Sequence, residues 1–353
     1  MNDAPEILFE RRGAAGLITL NRPKALNAVS HGMVLAMRAQ IDDWADDPAV
    51  TRVIVMGAGE KAFSAGGDIR QLYELGKAKR FTEQLQFWRD EYPLNVAIKN
   101  YRKPYVSLID GIVMGGGVGV SVHGSHRVAG DKYSFAMPEV SIGFFPDVGA
   151  TWFLPRMPGE LGTYCALTGE RFGIADALYA GLATHRISSA RFPDLIDGLT
   201  GTVSVDAVLA AFAEPGGEGP ICARRHQIDH LFAGHDVEVI LERLDHEAAT
   251  NSADAEWAGK TAAIIRTKSP TSLKLSLAQV RFGAIHDFET CMRAEMRIVS
   301  RIVKAHDFYE GVRAVIVDKD NKPTWNPQIL SEVTTEAIEA YFASLDGGEL
   351  ILP

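Results

Sequence analysis

The stretch SLIDGIVMGGGVGVSVHGSHRVA, Ser107 to Ala129, constrains the fold more than any other part of the chain. A strand at Tyr105–Ile109 gives way to Gly115, Gly116, Gly117 and Gly119, and a second strand follows at Arg127–Ala129. Glycine costs a helix or strand roughly 0.5–1 kcal/mol against alanine. So many at a strand-to-helix handover have two explanations. Either something packs too close to the backbone for a side chain, or the amides face a ligand. A second loop of this kind, Ala65-Gly66-Gly67-Asp68, precedes a helix starting at Ile69. One such loop is explained by close helix–sheet packing. Two matched loops favour a pair of oriented N–H groups, one from each, able to hold an oxyanion.

The surrounding pattern is α/β. Ile7–Glu10 and Gly16–Asn21 read as a hairpin, and Arg52–Met56 as a short buried strand. Ser30 is placed to cap a helix running to Asp42 or beyond, with Met33, Val34, Met37 and Ile41 on one face. AFSAGGD reads as a loop and Phe81–Asn100 as a long helix. Ligands of such folds bind at the carboxyl ends of the strands. Near Ile187 the texture changes: SSARFPDLIDGL and FAEPGGEGP read as surface segments, the second a linker. From Val237 the pattern is mostly helical, up to a turn-rich tail at KDNKPTWNP and a last helix at Thr334–Ala343. We therefore expect a core with the active site over residues 1–190 and a mainly helical region over 191–353.

Bulk properties narrow the function. The net charge is −9 and no basic run occurs, which points away from nucleic acid and anionic membranes. No apolar run reaches the ~20 residues of a membrane span, and MNDAPEILFERRG has neither an apolar signal core nor the acid-poor character of a transit peptide. Cys165, Cys222 and Cys291 are far apart, with no CxxC, as expected of buried thiols in a reducing compartment. A cytoplasmic protein is the expectation. GxGxxG as a strand–helix turn, GxxxxGK[ST] and GxSxG are missing. His226 and His230 in HQIDH share a helix face, but Gln227 stands where the zinc motif needs Glu, so no metal site is expected.

In AMPEVSIGFFPDVGA, Glu139 and Asp147 lie among Met137, Ile142, Phe144 and Phe145. Acidic residues are rarely buried without a partner or a task, and burial raises a carboxyl's pKa toward neutrality. Each is thus a candidate acid or base; a helix cap or turn is the structural alternative.

These residues together carry a resemblance. NRPKALNA, AFSAGGDI, MGGGVG and FAMPEVSIGFFPDVGATWFLPR, in that order, resemble the crotonase (enoyl-CoA hydratase/isomerase) superfamily. The resemblance implies a spiral of repeated β-β-α units with a helical C-terminal region. It also implies acyl-CoA substrates and an oxyanion hole made by the amides of Gly67 and Gly116. Hydratases of this superfamily carry two catalytic glutamates. One matches Glu139; at the position of the other this chain has Gly119, and Asp147 in FFPDVG stands in its place. That pattern resembles the 3-hydroxyisobutyryl-CoA hydrolases of valine degradation, as do WRDEYPLN, with Glu91 as a substrate-binding acid, and DFYEGVRAVIVDKDNKPTWNP.

The resemblance implies thioester hydrolysis, with Glu139 activating a water or attacking the carbonyl. Asp147 would bind the substrate 3-hydroxyl or protonate the leaving thiolate, and Glu91 would orient the same polar end. Arg22, Lys24, Ala25, Asn27 and Ala65 would lie along CoA. His123 and His126 are expected to be structural. No cofactor beyond the CoA of the substrate is implied, and a homo-oligomer is expected. Two alternatives are an enoyl-CoA hydratase/isomerase and a non-catalytic CoA-binding homologue.

Overall fold

The computed structural model describes residues 4–353; Met1, Asn2 and Asp3, the start of the stretch read for a targeting signal, lie outside them. Strands β1 (Ile7–Arg12) and β2 (Ala15–Leu20) form the expected antiparallel hairpin. Helix α1 (His31–Asp46) follows, capped by Ser30, whose hydroxyl accepts from the Met33 N–H. Its face of Met33, Val34, Met37 and Ile41 is buried, as its spacing predicts.

A repeat then begins. β3 (Arg52–Gly57) and β4 (Ala62–Ser64) lead into α2 (Ile69–Lys77) and α3 (Phe81–Lys99). β5 (Tyr105–Ile109) and β6 (Ile112–Met114) lead into the single turn α4 (Gly116–Gly119). β7 (His126–Ala129) and β8 (Ser134–Ala136) precede α5 (Ala150–Phe153), α6 (Leu161–Thr168), α7 (Ile174–Tyr179) and β9 (His185–Arg186). The first strand of each unit joins a six-stranded sheet, β1-β2-β3-β5-β7-β9, parallel beyond the hairpin. The second joins a parallel three-stranded sheet, β4-β6-β8. This is the β-β-α spiral of the crotonase fold.

Two expectations are corrected here. AFSAGGD is not all loop, because Ala62–Ser64 is β4; a three-residue strand is too short to show a period. SSARFPDLIDGL is not a surface segment either. It forms α8 (Phe192–Thr200), which with α9 (Val205–Phe212) buries Leu195, Leu199, Val208 and Leu209 against Leu17, Ile54, Val106 and Val128 of the large sheet. Strands apolar on both faces need cover on both. The other face supplies Ile18, Val53 and Val55 to the main core.

The remaining helices are α10 (Pro220–Ala223), α11 (Arg225–Phe232), α12 (Val237–Ala248), α13 (Ala255–Arg266), α14 (Pro270–Gly283), α15 (Phe288–Ile302), α16 (His306–Val312) and α17 (Thr335–Phe342). α15 packs on α3 and α5, and α14 on α5 and α6, so C-terminal helices stand directly behind the glycine loops' neighbours. A π-helical turn, Arg313–Val317, extends α16. No helix among the described residues is long and apolar enough to cross a membrane.

Candidate active site

A cavity of about 820 Å³ opens at the carboxyl ends of β4 and β6. Its floor is the two glycine loops. Gly66, at φ 115°, and Gly115, at φ 43°, take backbone conformations that L side chains rarely adopt. These turns bring the loops together: a Cβ built on Gly116 would lie 3.2 Å from the Gly67 nitrogen. Among the described residues neither the Gly67 nor the Gly116 N–H has a protein acceptor, while Val118, Gly119 and Val120 donate within the turn that Gly115 opens. Two unspent donors therefore stand side by side in the cavity wall.

The glycines of MGGGVG divide by task. A Cβ on Gly117 would sit 2.6 Å from Ser64, and one on Gly119 would sit 2.8 Å from the Asn95 amide and 2.9 Å from Val148. Those two are packing glycines. Gly116 is confined by the site itself, since its Cβ would fall 2.8 Å from Glu91 Oε1. The space where a second glutamate would extend from position 119 is taken by Asn95 and Val148.

Three carboxyls converge on this floor: Glu91 of α3, Glu139 after β8, and Asp147 before α5. All are buried. Asp147 Oδ2 accepts from Trp88 Nε1 at 3.2 Å and Tyr92 Oη at 3.0 Å. Among the described residues Glu91 Oε1 and Glu139 Oε2 have no partner. Burial pushes all three pKa values up. Asp147 rises to about 7, opposed by the bonds from Tyr92 and Trp88. Glu139 rises well above the ordinary range through burial and then the Asp147 charge, and Glu91 through burial, Asp147 and Glu295. Trp88 and Tyr92 were not singled out by sequence reasoning, although their spacing to Glu91 puts all three on one face of α3. Glu295 was also missed; its signal is a carboxylate among Cys291, Met292, Met296 and Val299 on the buried side of α15.

The residues proposed along CoA separate. Lys24, Ala25 and Ala65 line the cavity, with Lys24 and Ala25 exposed at its mouth. Arg22 lines it too, but its guanidinium is engaged by Glu6 at 3.0 Å, Asp68 at 2.9 Å and the Ala28 carbonyl at 2.8 Å. Asn27 does not line it, which corrects that expectation. Its side chain is fully buried, donating to the Ala58 and Ala62 carbonyls and accepting from the Arg22 N–H, and so holds the loop. Val315, Ile316 and Lys319 supply a wall that sequence reasoning did not foresee, tied to α2 by Arg70 on the Ile316 carbonyl.

The bystanders fall as their chemistry suggests. His123 is buried, is held neutral by a pKa lowered to about 3, and donates to the Val148 carbonyl at 2.7 Å. His126 faces Asp206. His226 and His230 are exposed on α11, and among the described residues no three His, Cys, Asp or Glu side chains cluster as metal ligands. Cys165 and Cys291 are buried, and all three cysteines are free.

Comparison with known proteins agrees with this architecture. The 3-hydroxyisobutyryl-CoA hydrolase, mitochondrial, of Xenopus tropicalis is 44% identical, over 98% of this chain and 91% of its own length. The Homo sapiens protein of the same name is 42% identical, over 98% and 91%. A crystal structure described as a carnitinyl-CoA dehydratase from Mycobacterium thermoresistibile superposes with a TM-score of 0.92 at 42% identity, covering 99% of both chains. One described as an enoyl-CoA hydratase from Rhodobacter sphaeroides 2.4.1 does so at 0.91 and 37%, covering 99% of this chain and 100% of that one. The family profile described as enoyl-CoA hydratase/isomerase matches residues 15–342. With that match and these relatives over nearly its whole length, the chain belongs to the enoyl-CoA hydratase/isomerase, or crotonase, family.

Proposed function

We propose that the protein hydrolyses 3-hydroxyisobutyryl-CoA to 3-hydroxyisobutyrate and CoA. The observation that carries this reading is the pairing of two unspent backbone donors with Glu139 and Asp147, where Asn95 and Val148 leave no room for a glutamate at position 119. Relatives that share the sequence over their length carry the name of that activity.

The thioester oxygen lies between the Gly67 and Gly116 N–H groups, where negative charge develops as the carbonyl carbon becomes tetrahedral. Each such donor is worth about 10²–10³ in rate. At neutral pH the buried carboxyls cannot all be ionised, and the environment splits their roles. The route needs Asp147 protonated and Glu139 ionised; with Asp147 neutral, the lesser of the two causes that raise Glu139 is gone, while burial still opposes its ionisation. Glu139 then takes a proton from a water that adds to the carbonyl, or adds itself to give an anhydride that water opens. The C–S bond breaks, Asp147 gives its proton to the sulfur, and solvent returns the proton from Glu139. Glu91, with its free oxygen beside Gly116, accepts from the substrate 3-hydroxyl. A site that hydrogen-bonds a hydroxyl can reject the analogue lacking it by up to about 10⁴–10⁵. None of these steps calls on a metal or redox group.

Glu139→Gln tests the assignment: turnover falls at least about 10³-fold while the thermal transition is kept. Near-normal thiol release by this variant would remove Glu139 from the mechanism. A homo-oligomer, our proposal from family resemblance, is checked by sedimentation. The free cysteines suit any reducing compartment; the relatives' names place them in mitochondria, and fractionation decides between that and the cytoplasm.

A further inference from the structure

Glu295 is a buried carboxylate on α15 that the mechanism above does not use. Its Oε2 accepts from the Gly149 N–H at 2.8 Å and its Oε1 from the Thr151 N–H at 3.0 Å. The first donor belongs to the turn that follows Asp147 and the second to the start of α5, into which that turn leads. That turn is not one the backbone chooses: Val148 is β-branched and sits at φ 53°, in the left-handed region. The surrounding structure must therefore hold it. His123 donates to the Val148 carbonyl from α4's side, and Gln279 of α14 donates to the Pro146 carbonyl. From the opposite side Trp88 and Tyr92 grip the Asp147 carboxyl. Glu295 is the only side chain in this set that takes two N–H groups at once, one from the turn and one from the start of α5, with one carboxyl oxygen on each.

We infer that Glu295 is the positioning residue for Asp147, fixing by its two backbone bonds where the Asp147 carboxyl meets the substrate. This rests on the role given to Asp147 under the proposed function. Glu295 does not touch the cavity and is not a catalytic residue. The groups facing it are Asp147 from the turn, Glu91 and Tyr92 from α3, and Cys291 from its own helix. Burial and Asp147 push its own pKa up to about 8, against the pull of the two N–H groups.

The test is steady-state thiol release from 3-hydroxyisobutyryl-CoA across pH by Glu295→Gln and Glu295→Asp, with thermal melts of both. Glutamine can accept from only one of the two N–H groups and turns an NH2 toward the other. We expect kcat down about 10–100-fold, the usual effect of a lost supporting partner, with KM within about threefold. Without the anchor the Asp147 carboxyl leaves the Trp88 and Tyr92 bonds that lower its pKa, so the alkaline limb moves to higher pH. Glu295→Asp keeps both oxygens one methylene short: kcat falls, and the limb moves the same way by less. A folded Glu295→Gln with unchanged kcat and pH profile would overturn the inference. So would a fully active Glu295→Asp, which decides the matter even where the glutamine variant does not fold. Wild-type enzyme that releases no thiol at all would instead overturn the proposed function.

Discussion

Asp147 illustrates how a single residue trades stability for chemistry. In the folded chain its pKa is about 7, against 3.8 for a free carboxyl. Below pH 4 both states are protonated and burial costs nothing. As pH rises from about 4 to 7 the unfolded chain ionises first, so stability is lost across that window and stays lost above it. Asp147→Asn keeps an oxygen for Trp88 and Tyr92 but cannot ionise. It should stabilise the fold by roughly 2–4 kcal/mol at pH 8, shrinking toward zero near pH 4, while turnover is lost; urea titrations at the two pH values measure the difference. Gly116 and Gly67 make a second residue-scale contrast. Gly116→Ala drives a methyl into Glu91 Oε1 and should cut kcat about 10²-fold. A methyl on Gly67 meets only Phe87 at 3.4 Å, and Gly67→Ala should cost under about tenfold; kcat values for the pair check this.

At the scale of the element, α3 carries much of the site on one stripe: Trp88, Glu91, Tyr92 and, a turn on, Asn95. The Tyr92 hydroxyl donates to Asp147, and that bond opposes the rise of the Asp147 pKa. Tyr92→Phe should therefore move the alkaline limb of the rate profile to higher pH, in the same direction as loss of Glu295. Much of this was legible beforehand. The glycine loops, Glu139 and Asp147 announce themselves because glycine runs and buried acids are costly where they serve no purpose; Glu91 came only from the family resemblance. Trp88 and Tyr92 hid because aromatic residues belong on an apolar helix face anyway, and only their polar edges matter here. The strands β4, β6 and β8 were too short to carry a period. α8 was misjudged because charged residues surround Leu195 and Leu199, and only the sheet's bare second face reveals what they cover. Leu199→Ala should cost about 2–4 kcal/mol without changing kcat, seen as a shifted urea midpoint at constant specific activity.

At the scale of the molecule, the spiral supplies the donors and the C-terminal helices complete the site. The β-β-α units set two loops side by side at the ends of the small sheet. α15 supplies Glu295, α14 supplies Gln279, and the π-helical turn after α16 closes the cavity with Val315 and Ile316. Asn27 marks the same division of labour in the N-terminal loop: it holds the loop, and its neighbours face the cavity. Whether this assembly cleaves thioesters or hydrates double bonds turns on position 119, where packing leaves no room for a second glutamate. The direct measurement is free-thiol release from 3-hydroxyisobutyryl-CoA beside hydration of crotonyl-CoA, by one preparation of the wild-type protein. Rapid CoA release with little hydration is the predicted result. Fast hydration with no thiol release would contradict it and show that Glu139 and another carboxyl of this floor act as a hydratase pair.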